Sequence, residues 1–90
     1  MNSVARQRLL YNRLSYPLEM IESGQWAEVE AVTGEPVWVS RMAELGVRTG
    51  SRVQVVRQGS PCVLRVDGCR LSLRGQRGTQ ILVRPVATTP

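Results

Sequence analysis

The chain of 90 residues contains no histidine, no phenylalanine and no lysine, and it has a single aspartate. Each absence removes something. Without His there is no Ser-His-Asp or Cys-His pair to activate a nucleophile, and the commonest transition-metal ligand is missing. Without Phe, two Trp and the aliphatic residues must carry the core. Without Lys, all twelve basic residues are Arg. Arg suits bidentate contact with carboxylate or phosphate, although a replacement that runs through the whole chain also reads as codon bias. The lone acid of its type, Asp67, precedes Gly68 in a turn. No glycine-rich phosphate loop stands ahead of a helix, and the basic stretch Arg74-Gly75-Gln76-Arg77-Gly78 has no nucleotide-loop spacing. No apolar run approaches the ~18 residues of a membrane span, and Leu9-Leu10-Tyr11 is too short for a signal peptide. These absences point away from an enzyme. They also point to a cytoplasmic protein, with any membrane connection made through a partner.

What is present suits one small globular domain. Hydrophobic content is 42% and charged content 21%. The net charge of +5 is unevenly placed. Residues 1–17 carry three Arg and no acid, residues 18–50 carry six Glu against two Arg, and residues 51–90 carry seven Arg against Asp67. Such asymmetry fits an acidic partner surface or nucleic acid, and equally the solvated face that any small sheet needs. Proteins that bind single strands interleave basic and aromatic residues. Here Tyr11, Tyr16, Trp26 and Trp38 all precede residue 51, and the basic half has no aromatic. Nucleic acid is therefore not the expected partner.

Along the chain, residues 1–16 read as a flexible or weakly helical extension. Pro17 to Ile21 reads as a helical turn with Leu18 and Ile21 on one side, stopped by Ser23-Gly24. Gln25 to Val32 alternates: Ala27, Val29 and Ala31 face the core, and Trp26, Glu28 and Glu30 face out. Trp26 on that side is a cover over the barrel end or a partner contact. Thr33 to Pro36 turns, and Pro36 starts a helix from Val37 to Leu45. Its face of Trp38, Met42 and Leu45, at i, i+4 and i+7, is expected to anchor it. Val39 and Ala43 lie roughly 100° away, toward solvent. Glu44 near the helix C-terminus is disfavoured by the macrodipole, so pairing with Arg41, Arg48 or Arg52 is expected.

Arg52 to Gln58 is the next strand. Asp67-Gly68 then joins Cys62–Val66 to Cys69–Leu73 in a hairpin. A two-residue turn sets Val66 opposite Cys69, Leu64 opposite Leu71 and Cys62 opposite Leu73, with all six toward the core and Arg65 and Arg70 outward. Both cysteines are thus expected to be buried and reduced, ~13 Å apart and beyond disulfide reach. A metal site using either with a Glu is the alternative. Ile81 to Val86 closes the sheet and 87–90 form a tail. Five short strands with a helical insert describe a mainly β, small SH3-like barrel, with a five-stranded OB-fold as the structural alternative.

The segment Arg41-Met42-Ala43-Glu44-Leu45-Gly46-Val47-Arg48-Thr49-Gly50 resembles the signature of the FeoA family: Arg, an apolar residue, any residue, then Glu-Leu-Gly, an aliphatic residue, and a second Gly four positions after the first. Pro17-Leu18, Ile21 and Gly24 resemble the family's opening turn, Gly68, Leu71 and Leu73 its second hairpin, and Ile81-Leu82-Val83 its closing strand. Met42 stands where Leu is commoner, Thr49 where Pro is common, and Ser72 where Ala is usual. The resemblance covers residues 17–86 and implies an SH3-like fold. It implies a non-enzymatic accessory of ferrous iron transport, acting on the cytosolic part of a FeoB-like GTPase transporter. A free-standing barrel binding RNA or an acidic protein surface is the second reading. No cofactor and no tight metal site are expected, because the available ligands are scattered carboxylates. The candidate partner surface is Val39, Ala43 and Val47, with Arg48 and Arg52 at its rim.

Overall fold

The computed structural model describes residues 14–87, so the sequence expectations for most of the N-terminal extension and for the end of the tail lie outside the described residues. Eight elements follow one another: β1 (Tyr16–Pro17), a 3-10 helix (Leu18–Met20), β2 (Trp26–Thr33), α1 (Pro36–Glu44), β3 (Arg52–Arg57), β4 (Cys62–Val66), β5 (Cys69–Leu73) and β6 (Gln80–Pro85). The strands form one antiparallel sheet in the order β1-β6-β2-β3-β4-β5, curled in the SH3-like manner. Six strands replace the five expected from the sequence. The added one is β1. Proline restrains Tyr16 to extended backbone, and that dipeptide lies along β6 with Tyr16 opposite Val83.

The hairpin has the register that its turn demands: Cys62 opposite Leu73, Leu64 opposite Leu71, Arg65 opposite Arg70 and Val66 opposite Cys69. Asp67 and Gly68 both have positive φ, 49° and 79°, as a two-residue primed turn requires. One expectation about it fails. Cys62, Leu64 and Val66 are buried, but Cys69 is exposed, and Leu71 and Leu73 are half-buried. β5 is the last strand of the sheet, and Cys69 opens it beside the hairpin tip, where no further element covers it. Both cysteines are free thiols.

β2 departs from simple alternation. Val29 pairs with Val83, but Ala31 pairs with Leu82 and Val32 with Ile81, so the extra residue Glu30 forms a bulge. A bulge reverses which alternate residues face inward. Ala27 and Val29 are buried as expected. Beyond Glu30 it is Val32, and not Ala31, that packs on the core. A second bulge lies in β3, where Val55 pairs with Leu64 and Arg57 with Val63. The core that results is aliphatic, with Val29, Val53, Val55, Leu64 and Val83 wholly enclosed, and no polar or charged residue is buried among the described residues.

Candidate functional site

The helix α1 and the turn after it occupy one end of the sheet. Glu35 is its N-cap in extended conformation and Pro36 begins it. At the other end the Gly46 amide donates to Ala43 O at 3.0 Å and the Val47 amide to Met42 O at 2.8 Å. These two bonds, with Gly46 at φ 99°, make a Schellman motif. That motif commonly brings the residue after the glycine against the third-last helical residue. Here Val47 and Met42 both lie in the core cluster. The helix is therefore anchored by Trp38, Met42 and Val47. Leu45, expected as the third anchor, is 46% exposed, whereas Val47, expected in the partner surface, is 0% exposed.

The turn is fastened to β2. The Gly50 amide donates to Val29 O and the Val29 amide to Ser51 O, both at 2.8 Å. Inside the turn, the Ser51 hydroxyl donates to Gly46 O at 2.7 Å and accepts from the Arg48 amide at 3.2 Å. From the sequence alone Ser51 has no assigned role. Its spacing of three from Arg48, typical of a hydroxyl-closed turn, is the signal that could have found it.

Of the five candidate residues, Val39 and Ala43 are half-buried, Arg48 and Arg52 are exposed, and Val47 is removed to the core. Arg48 leans back over the helix terminus, its Nη1 3.5 Å from Ala43 O, where a positive charge is favourable. Glu44 forms no ion pair with Arg41, Arg48 or Arg52. Sequence reading passed over Val37, which is 69% exposed. With Pro36, Ser40, Arg41 and Glu44 it lines a shallow groove on the outer side of α1. The ion pairs formed by the described residues gather elsewhere: Arg84 on β6 reaches Glu28 at 3.3 Å and Glu30 at 3.4 Å on β2.

A second concavity, about 210 Å³, opens between the 3-10 helix, α1, the turn before β4, the end of β5 and the start of β6. Leu18, Trp38, Cys62, Leu73, Arg74 and Ile81 are among its walls. Burial pushes the Cys62 thiol pKa up, and the nearby Glu19 carboxylate pushes it further. Thiol reagents at mildly alkaline pH should therefore modify Cys69 at once and Cys62 at least ~10-fold more slowly, since the thiolate is the reacting form. Mass spectrometry of the time course checks this, and equal rates would contradict the burial of Cys62. No group of three or more His, Cys, Asp or Glu side chains placed to hold a metal occurs among the described residues. None of the described helices is long and apolar enough to cross a membrane.

The FeoA domain profile matches residues 16–85, which include all the elements described above. The chain belongs to the FeoA family. Two solved structures share its fold. A crystal structure of an iron uptake regulatory protein (FeoA) superposes with a TM-score of 0.73 at 20% identity, covering 81% of this chain and 100% of that one. The solution structure of a FeoA protein from Chlorobium tepidum gives 0.72 at 28% identity, covering 83% of this chain and 74% of that one. No match was found among curated proteins. Membership associates this FeoA-family chain with ferrous iron transport as a small accessory domain, in a family not known for enzymes. The Glu-Leu-Gly segment that carries the resemblance in the sequence is the end of α1 and its Schellman turn.

Proposed function

We propose that the chain is a non-enzymatic accessory of ferrous iron uptake that works in the cytoplasm by docking on the cytosolic part of a FeoB-like GTPase transporter through the outer side of α1. The observation that supports this reading is the placing of exposed apolar surface. Four large hydrophobic residues are exposed among the described residues, and two of them, Val37 and Leu45, bracket this helix. Val37 and Leu45 give a short exposed strip, and Ser40, Arg41 and Glu44 beside Val37 make its polar rim. Half-buried Val39 and Ala43 lie about 120–160° round the helix from Val37, and Arg48 and Arg52 are exposed beyond it. Apolar centre with polar rim is the make-up of a protein contact. The strip is far below the ~1,200 Å² of a stable interface, so the association is expected to be weak and reversible. The chain acts by contact and carries no iron of its own. Calorimetry should accordingly detect no stoichiometric sub-micromolar Fe²⁺ or Zn²⁺ binding.

Val37→Glu tests the docking surface. The residue is exposed, so unfolding free energy should change by no more than ~0.5 kcal/mol. Affinity for the transporter's soluble domain should fall roughly 10-fold or more if Val37 is central to the contact. NMR titration of the wild-type chain should shift α1 and the turn 46–51 first. Shifts confined to the β4–β5 hairpin would refute the reading.

A further inference from the structure

The strand register assembles a feature that the linear sequence conceals. Trp26 pairs with Gln54, Gln54 with Arg65, and Arg65 with Arg70, so one row crosses four strands on the side away from the core. In the neighbouring row Arg57 pairs with Val63 and Val63 with Ser72. Arg52, Arg57, Arg65 and Arg70 are all exposed, and β3, β4 and β5 contain no acidic residue. None of these four arginines forms an ion pair with a described residue. Asp67 stands exposed in the turn of the same hairpin and pairs with none of them, and the acids nearest in register lie on β2. There Glu28 stands opposite Arg52, but it and Glu30 are already engaged by Arg84. Like charges directly opposite one another on a sheet are destabilising, so the Arg65–Arg70 pair works against the fold. Departures from local rules of this kind are expected at functional or strained sites.

We propose that this face binds the surface of an anionic phospholipid bilayer. The arginines spread over three adjacent strands, about 10 Å across, and form a two-dimensional array rather than a line. A single nucleic-acid strand follows a line and wants a stacking ring at successive bases. This face offers one ring, Trp26, at the end of its row. A lone indole beside basic residues is instead what the boundary between lipid headgroups and water accommodates. Arg65 and Arg70 belong to the array and not to the docking surface, so membrane contact and partner docking are separable through them.

Co-sedimentation with vesicles tests the proposal, using phosphatidylcholine alone and phosphatidylcholine containing phosphatidylglycerol. Binding is expected only to the anionic vesicles. It should fall steeply between ~0.1 M and ~1 M salt, as the screening length shortens from about 10 Å to about 3 Å. Arg65→Gln with Arg70→Gln should weaken partition about 30-fold, near fivefold for each charge. That variant removes a repulsive pair, so it should be at least as stable as the parent, and lost binding cannot be blamed on unfolding. It should also keep its affinity for the transporter's soluble domain, whereas Val37→Glu should keep vesicle binding and lose the domain. The proposal falls on any of three results. Neutral vesicles bind equally well. The double variant binds unchanged while Arg6, Arg8 and Arg13 changed to Gln abolish binding. Or a single-stranded RNA oligonucleotide binds in a way that depends on Arg65 and Arg70 while anionic vesicles do not.

Discussion

Gly46→Ala is expected to lower stability by roughly 2–4 kcal/mol, and Tm by roughly 10–25 °C for a domain of this size. Two costs add. Gly46 sits at φ 99°, where a side chain is strained. A Cβ there would also stand 2.9 Å from Val66 Cγ1 and 3.0 Å from Asp67 Oδ2. Val66 is buried and cannot swing away, and Asp67 is held in the hairpin turn. The glycine of the helix turn is thus the point at which α1 packs on the β4–β5 hairpin. Gly50→Ala supplies the control, because Gly50 has φ 93° and nothing within 4 Å of a built Cβ. It should cost only the backbone term, about 1–2 kcal/mol. Urea unfolding of both variants separates the terms, and equal losses would show that the close approach to Val66 contributes nothing.

Val47→Glu is expected to unfold the protein at 25 °C. Val47 is fully enclosed, and the core around it offers no polar or charged group to pair with a carboxylate. Burying an ionised carboxylate without a partner costs several kcal/mol. Small domains of this size have a total stability near the lower end of about 5–15 kcal/mol. The far milder Val47→Ala should cost about 2 kcal/mol and leave a folded chain. Circular dichroism and a proton NMR spectrum would decide the matter. A folded Val47→Glu chain with weakened partner binding would restore Val47 to the docking surface and contradict the Schellman packing. The same substitution at Val37, the second residue of α1 and exposed, should leave the fold intact. The contrast assigns the two valines to core and surface by experiment.

Where reasoning from the sequence succeeded, a local rule was sufficient. A two-residue Asp-Gly turn permits one hairpin register, and period-2 alternation then settles that Cys62, Leu64 and Val66 face the core, whereas Cys69 on the edge strand is left exposed. The same logic located the 3-10 turn with Leu18 and Ile21 inward, and α1 within a residue of its true ends. It failed at Leu45 and Val47 because helical spacing was extended across a helix end. The chain leaves the helix at Gly46, and the residue two beyond Leu45 turns back under Met42. It failed at Ala31 and Val32 because a bulge carries no fixed residue type, and Glu30 looks like any other outward residue of an alternating strand.

The candidate surface divides in the same way. The Glu-Leu-Gly segment, the lack of His and the basic second half are properties of the chain itself, and they determined the family, the absence of a common catalytic pair and the sign of the charge. Which valine is exposed, and which aromatic stands in line with Arg65 and Arg70, were decided only when β2, β3 and β4 were set side by side. Trp26 and Arg65 are far apart along the chain and lie two strands apart on one row. Pairing between distant segments depends on long-range registers, on bulges and on how much core each strand can share. Those are properties of the packed sheet, and no short window of sequence contains them.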